Sequence, residues 1–583
     1  VNDRSTDTHF LRSGGRLQRP IPGLAIFFFL AVSAILSPCI PAKGDDAYAP
    51  SVANVASAFH RANQDNVVLH VIIQTDPVES NGSARAQASL PQIHGVVRGF
   101  APRGGYIAAD VSPTEAIALA HRPGVHHVSF DWPVGATDGP GGNNNPKNFA
   151  SPSDGAQRAM APTTWQSGVE GAGVGVAIID SGIQNHPDLQ GPNHVVAWHD
   201  FVNGKGGFYD DYGHGTHVAG IIAGTGSMSS TYKDNQFPGV APYANLIGIK
   251  VLDSTGAGST STVIEGIDWC IQNAIKYNIR VINLSLGHPV YESYTTDPLC
   301  QEVEKAWNAG IVVVVAAGND GRLTAAPMPG VTDNDGYGTC YGSIESPGND
   351  PDVITVGAMK AVDSHRADDY IATYSSRGPT LGDDLLKPDI VAFGNQVVSL
   401  YDAQGSLDKT YTANQVLASF YGGGGAVEYM TLSGTSMATP VVSGAAALMI
   451  EANPGITPDT VKLRLMLSAD KWGAGALTYG AGYLDIPAAM SSTAIATSPM
   501  TSPQLYQGLD GLVYINVPMG SPESVYGSSA LWGGRAVRGL NTLTGSGVVW
   551  GDSALWGGHA IWGCTAIWGK DTTNACISGD GGD

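Results

Sequence analysis

From Gly173 onward, short apolar runs alternate with longer amphipathic ones, and this alternation restricts the chain more than any other feature. Strands are expected at 174–180, 246–252, 280–286, 311–316 and 353–357, and helices at 215–224, 261–277, 298–309 and 458–469. Runs that stay apolar at consecutive positions suit strands covered on both faces. Strands in alternation with helices give a parallel sheet, because parallel neighbours need a crossover that a helix supplies. The expected fold class is α/β: a doubly wound, mostly parallel sheet with helices on both faces. Such sheets bind ligands beyond the carboxyl ends of their strands. Two polar side chains fall there, Asp180 after Val176-Ala177-Ile178-Ile179 and Asn319 after the run that starts at Ile311.

A third chemical signal is Leu432-Ser433-Gly434-Thr435-Ser436-Met437-Ala438-Thr439-Pro440. It sets Ser436 where a Gly/Ser turn meets a small-residue helix, at the end whose N–H groups favour a developing anion. A serine hydroxyl is a weak nucleophile near neutral pH, so it needs a base and an orienting acid. Gly213-His214-Gly215-Thr216-His217 places a histidine at another helix start, and Asp180 supplies a carboxylate. One imidazole nitrogen of His214 would bond Asp180; the other would take the Ser436 proton and return it to the leaving amine. Taken singly, each segment reads as an ordinary cap or turn. His217 is read as a structural core histidine, since no third ligand at metal-site spacing accompanies it.

In the order Asp, His, Ser, these segments resemble the subtilisin-like serine proteases (subtilases) over roughly residues 150 to 490. The resemblance implies a serine endopeptidase that works through an acyl-enzyme, with Asn319 and the Ser436 backbone N–H as oxyanion donors. It implies that Ser285, Leu286 and Gly287 pair with an extended peptide, and that Ala316, Ala317 and Gly318 help line the pocket for the residue before the scissile bond. Both segments are small or apolar and hold no carboxylate, so a preference for apolar or aromatic residues is expected. Asp188, in His186-Pro187-Asp188-Leu189, matches a family calcium ligand and suggests structural calcium; catalysis is expected to need no cofactor. Phe393 departs from the family's usual proline, outside this chemistry. An α/β-hydrolase elbow would want Gly where Ala438 stands. A sedolisin would lack the histidine motif. The rival of another class is a non-catalytic surface-binding protein that uses the carboxyl-terminal tryptophans.

The rest of the chain divides by composition. Residues 1–44 read as a secretion signal, with Arg12, Arg16 and Arg19 before the apolar run Leu24 to Leu36. Residues 50–135 resemble the inhibitory α+β propeptide of subtilases, with strands at 67–73, 106–111 and 125–128 and a capped helix from Ser112. A Gly/Asn/Pro linker at 136–155 suits a maturation cut, 156–490 is the catalytic domain, and 491–583 is a Gly/Trp-rich repeat region. There Trp550, Trp556, Trp562 and Trp568 recur every six residues, an even spacing that aligns side chains in an extended chain. Net charge is −21 and falls entirely after residue 135, which argues against a nucleic-acid partner. Expected partners are polypeptide substrates and the chain's own propeptide. No stable membrane span is expected, and the protein should act as a secreted monomer. Among the cysteines, Cys270 reads as a buried thiol, with Cys300–Cys340 and Cys564–Cys576 as disulfides.

Overall fold

The computed structural model describes residues 51–516, apart from 63, 65, 77–92, 102–104, 137–154, 191–193, 230–235, 362–364, 423–424, 472–474 and 508–512. Its centre is a sheet in the order β14-β13-β12-β10-β6-β8-β7 (Tyr370–Ile371, Ile354–Lys360, Val312–Ala316, Ile279–Leu284, Gly175–Asp180, Asn245–Lys250, Val195–Asp200), with β15 (Ile390–Phe393) also on β13. All pairings in it are parallel except β13 with β14. Every residue of β6, β12 and β13 is buried, as their consecutive apolar residues require. Each fully covered Val or Ile there contributes about 1.5–3 kcal/mol of transfer free energy against the entropy of ordering the chain.

Helices α3 (His214–Ala223) and α6 (Thr435–Ala452) pack on each other and on the sheet, and α4 (Thr260–Tyr277) with α5 (Pro298–Asn308) forms a second such pair. Their ends follow local chemistry. Ser259 caps α4 by accepting from Thr262 N, and Asn278 closes it in the left-handed region at φ 48°. Asp297 caps α5, whose first residue is Pro298. The expected strands and helices coincide with the observed ones to within about three residues. Strands β7, β14 and β15 were not anticipated: β7 is only partly buried and carries Trp198, His199 and Asp200, and β14 and β15 are short.

Residues 51–136 build a separate four-stranded antiparallel sheet in the order β2-β3-β1-β4 (Val96–Ala101, Tyr106–Val111, Leu69–Thr75, Val125–Phe130), with helices α1 (Val52–Arg61) and α2 (Pro113–Ala120). Ser112 caps α2 by accepting from Glu115 N at 3.2 Å. The Glu115 carboxylate turns to His94 at 3.0 Å. Strand β5 (Pro133–Ala136) leaves this unit and lies between β11 (Leu286–Gly287) and β9 (Ala257–Ser259), antiparallel to both.

One expected disulfide is corrected: Cys300 is a free, buried thiol. It sits in α5 with its sulfur 3.3 Å from Asn349 Oδ1, and burial raises its pKa. Cys340 is disulfide-bonded, though not to Cys300. Cys270 is free and buried. No helix among the described residues is long and apolar enough to cross a membrane. The signal segment, the linker from residue 137, Cys564 with Cys576, and the tryptophan repeats lie outside the described residues.

Candidate active site

Asp180 ends β6, and its Oδ1 accepts from its neighbour's N–H (Ser181, 2.7 Å) and from His214 Nδ1 at 2.7 Å. Neither the carboxylate nor the imidazole is exposed to solvent. His214 is the first residue of α3, and one carboxylate that the sequence reading overlooked holds that helix start in place. Asp210 Oδ1 accepts from Gly213 N (2.8 Å) and Ser181 Oγ (3.0 Å), while its Oδ2 accepts from Thr216 N (2.9 Å) and Thr216 Oγ1 (2.8 Å). Its sequence signal was only a carboxylate four residues before the histidine, three before the capping Gly213. The turn after Asp180 is held from beneath by buried Lys250, which donates to Ser181 O at 2.5 Å and to Leu252 O at 2.8 Å.

Ser436 stands in the first turn of α6, where N–H groups have no intrahelical acceptor. Pro440 lies inside this helix and has no N–H to return to the Ser436 carbonyl. That carbonyl instead accepts from Ser285 Oγ at 2.9 Å. Ser285 Oγ accepts in turn from Asn283 Nδ2 (2.9 Å), and Asn283 Oδ1 accepts from Ser443 Oγ (2.8 Å). A chain of buried hydrogen bonds therefore locks the strand entering β11 to the serine helix. The Ser436 hydroxyl lies 3.1 Å from Ser285 O, at the edge of that strand.

Asn319 is buried just beyond β12, and its Oδ1 accepts from Thr435 N (3.0 Å) and Thr435 Oγ1 (3.2 Å). With the carbonyl end held this way, the amide NH₂ is the end turned away from Thr435. Leu286 and Gly287 form β11 and pair with Ala136 and Gly135 of β5. Ala316 ends β12; Ala317 N donates to Val356 O at 3.0 Å, and Ala317 O accepts from Glu345 N at 3.0 Å.

A carboxyl distant in sequence, that of Glu345, adjoins the two segments expected to line the pocket. A Cβ built on Gly287 would meet Glu345 Oε2 at 2.7 Å, and one on Gly318 would meet Glu345 Cγ at 2.7 Å. Gly318 is also left-handed at φ 101°, so glycine is required there on both counts. Glu345 lies against Asp320. Burial, followed by the proximity of Asp320, raises the Glu345 pKa well above the carboxylate range, and burial raises Asp320 to about 6. Side by side in a buried setting, two such carboxyls oppose each other's ionisation. Nothing in the local sequence announced Glu345, which reaches both segments through the fold.

His217 is fully buried, with Nε2 directed at Val397 O (3.2 Å) and Met430 O (3.3 Å). Burial, and then the neighbouring His214, lower its pKa to about 3, so it is neutral and structural. Asp188, expected from its motif as a calcium ligand, is held by a set of hydrogen-bond donors. Its Oδ1 accepts from Ser227 Oγ (2.7 Å) and Met228 N (2.9 Å), and its Oδ2 accepts from Tyr429 OH (2.5 Å). Its backbone carbonyl takes Thr225 N at 3.1 Å. Neutral donors thus tie the loop after α3 to Asp188.

The site defines the class of protein. Residues 171–483, more than half of the chain, match the subtilase family. The chain belongs to that family, the subtilisin-like serine proteases. It is 43% identical over 326 residues to serine protease AprX of Bacillus subtilis, covering 54% of this chain and 65% of that relative. It is 38% identical over 323 residues to subtilisin DY of Bacillus licheniformis, covering 55% of this chain and 92% of the relative. With subtilisin Savinase of Lederbergia lenta the identity is 33% over 335 residues, 58% of this chain and 97% of the relative.

Proposed function

We propose that the protein is a secreted serine endopeptidase, made as a self-processing precursor, that cleaves peptide bonds through Asp180, His214 and Ser436. The observation that carries this reading is the seating of β5. A segment of the chain itself lies antiparallel on β11, in the register Gly135 opposite Gly287 and Ala136 opposite Leu286, and on its other side pairs with β9. A peptide continuing that register brings its next residue opposite Ser285, whose carbonyl is 3.1 Å from Ser436 Oγ. Main-chain pairing of this kind holds an extended substrate whatever its side chains, while pockets select among them.

In the mechanism derived from these contacts, the bond between Asp180 and His214 fixes the ring so that Nε2 is the working nitrogen. His214 takes the proton of Ser436 as Oγ attacks the carbonyl carbon, and the imidazolium is stabilised by the unexposed Asp180 carboxylate. The Asn319 amide and the Ser436 N–H receive the oxyanion, supported by the clamp of Thr435 on Asn319 Oδ1. His214 then gives the proton to the leaving amine, and water repeats the sequence on the acyl-enzyme.

The Glu345 carboxyl against Gly287 and Gly318 supports acceptance of Lys or Arg before the scissile bond, next to the apolar residues that Ala316 and Leu286 favour. Residues 51–136 serve as the inhibitory unit, and the maturation cut falls within the first few residues after Ala136. The non-catalytic binding alternative has only the tryptophan repeats behind it. The decisive experiment compares secreted wild type with Ser436→Ala. Wild type should hydrolyse casein and begin a few residues after Ala136, whereas the variant should be inert and keep residues 51–136. Casein hydrolysis by Ser436→Ala would overturn the assignment.

A further inference from the structure

Three carboxylates outside the site described above converge at the opposite end of the sheet. Glu304 projects from α5, and Asp350 and Asp352 flank Pro351 in the turn that enters β13. Each offers an oxygen, and these oxygens all lie within 4.8 Å of one another. Asp350 is fully buried. Its Oδ1 accepts from Asp352 N (2.9 Å) and Val353 N (3.4 Å), but its Oδ2, also buried, has no hydrogen-bond partner among the described residues. A buried carboxylate oxygen without a donor is costly, and here its near neighbours are two more carboxylates.

The cations close by are committed elsewhere. Lys387 Nζ bonds Asp389 Oδ2 (2.7 Å) and Val353 O (3.0 Å). Lys462 Nζ bonds the carbonyls of Pro351 (2.8 Å), Asp352 (3.2 Å) and Val353 (3.0 Å). Lys305, next to Glu304 in sequence, pairs with Glu302 at 3.1 Å. Among the described residues none of the three carboxylates is in an ion pair. We propose that Glu304, Asp350 and Asp352 form a calcium site that ties α5 to the start of β13. Three carboxylates supply up to six hard oxygens at flexible angles, which suits Ca²⁺ better than Mg²⁺ with its strict octahedron and retained waters. The site lies at the amino-terminal end of β13, whereas Asp180 and Asn319 lie at carboxyl-terminal ends, so its role is to hold the fold rather than to take part in the reaction.

The test uses the secreted enzyme, blocked at its serine by a phosphonate, stripped with chelator and titrated calorimetrically with Ca²⁺ up to roughly 10 mM, beyond the weakest range of extracellular sites. Asp350→Asn should bind one equivalent fewer than wild type, and Glu304→Gln should bind that equivalent at least ~10-fold more weakly. The lengthening of the thermal-inactivation half-life by Ca²⁺ should shrink in both. In EDTA, Asp350→Asn should outlast wild type, because repulsion is removed; a merely structural contact would give the opposite sign. Glu304→Gln alters a half-buried helix position and serves if Asp350→Asn does not fold. Equal numbers and affinities of bound Ca²⁺ in wild type and variant, or no Ca²⁺ bound by wild type, would overturn the proposal.

Discussion

The four-stranded unit of residues 51–136 and the α/β domain share buried apolar surface, yet only the larger domain has strands covered on both faces along their whole length. The α/β domain buries one continuous apolar core, and its strands β6, β12 and β13 are inaccessible along their whole length. The contact between the two is in part apolar, since Ile72, Ala101, Tyr106 and Val134 of the smaller unit belong to the same buried cluster, and polar contacts surround it. Asp131 accepts from Ser261 N (2.9 Å) and Ser261 Oγ (2.8 Å) at the start of α4, where a helix favours an anion. His127 meets Glu292 at 2.9 Å, Gln74 Nε2 donates to Thr296 O at 2.6 Å, and Trp132 stacks on Tyr291 with centroids 3.9 Å apart.

The largest effect that could break this comparison is at Ser436. Ser436→Ala should lose about 10⁶-fold in turnover, a magnitude borrowed from subtilisin, and leave the two parts covalently joined. Mass spectrometry of the secreted variant checks the second point. Asn319→Ala should lower kcat by ~10²–10³ with KM little changed, again the size known for subtilisin, because the amide acts on the oxyanion rather than on bound substrate. Steady-state kinetics on a chromogenic peptide read this directly. At the seam, Asp131→Ala added as a separate 51–136 fragment should inhibit mature enzyme about tenfold more weakly, since it removes hydrogen bonds to a charged acceptor worth ~1.5–3 kcal/mol. An unchanged inhibition constant would mean that the seam is held by Trp132 and β5 instead.

Two smaller effects sharpen the account of the larger domain. Glu345→Gln should cut the preference for Lys or Arg before the scissile bond several-fold while leaving cleavage after apolar residues intact, as read in a peptide-library profile. His217 gives a pH signature. Its folded pKa of about 3 lies below the unfolded value near 6.5, so the unfolded chain binds the extra proton between those limits. Its contribution is whole above pH ~6.5 and is lost as pH falls toward ~3. In serine-blocked enzyme, His217→Gln should flatten the acid side of the stability–pH curve, measured by denaturant melts.

The sequence by itself determined whatever depends on neighbours along the chain. Runs such as Ile311 to Ala316 could only be covered strands, and caps such as Ser259 and Asp297 start helices because their oxygens reach N–H groups two or three residues on. Asp180, His214 and Ser436 were legible because each sits at an element boundary with its own local signature. Only the tertiary structure decided what depends on distant residues meeting: Glu345 against Gly287 and Gly318, Asp210 clamping the start of α3, and Cys300 buried against Asn349 rather than bonded to Cys340. Asp188 is the sharpest case. Its motif reads as a cation ligand, and the fold supplies Ser227, Met228 and Tyr429 as donors to its oxygens, while the orphaned carboxylate oxygen is on Asp350. The physical reason is that a side chain's hydrogen-bonding capacity is written in its own residue, whereas the partner that satisfies it comes from wherever the packed chain returns.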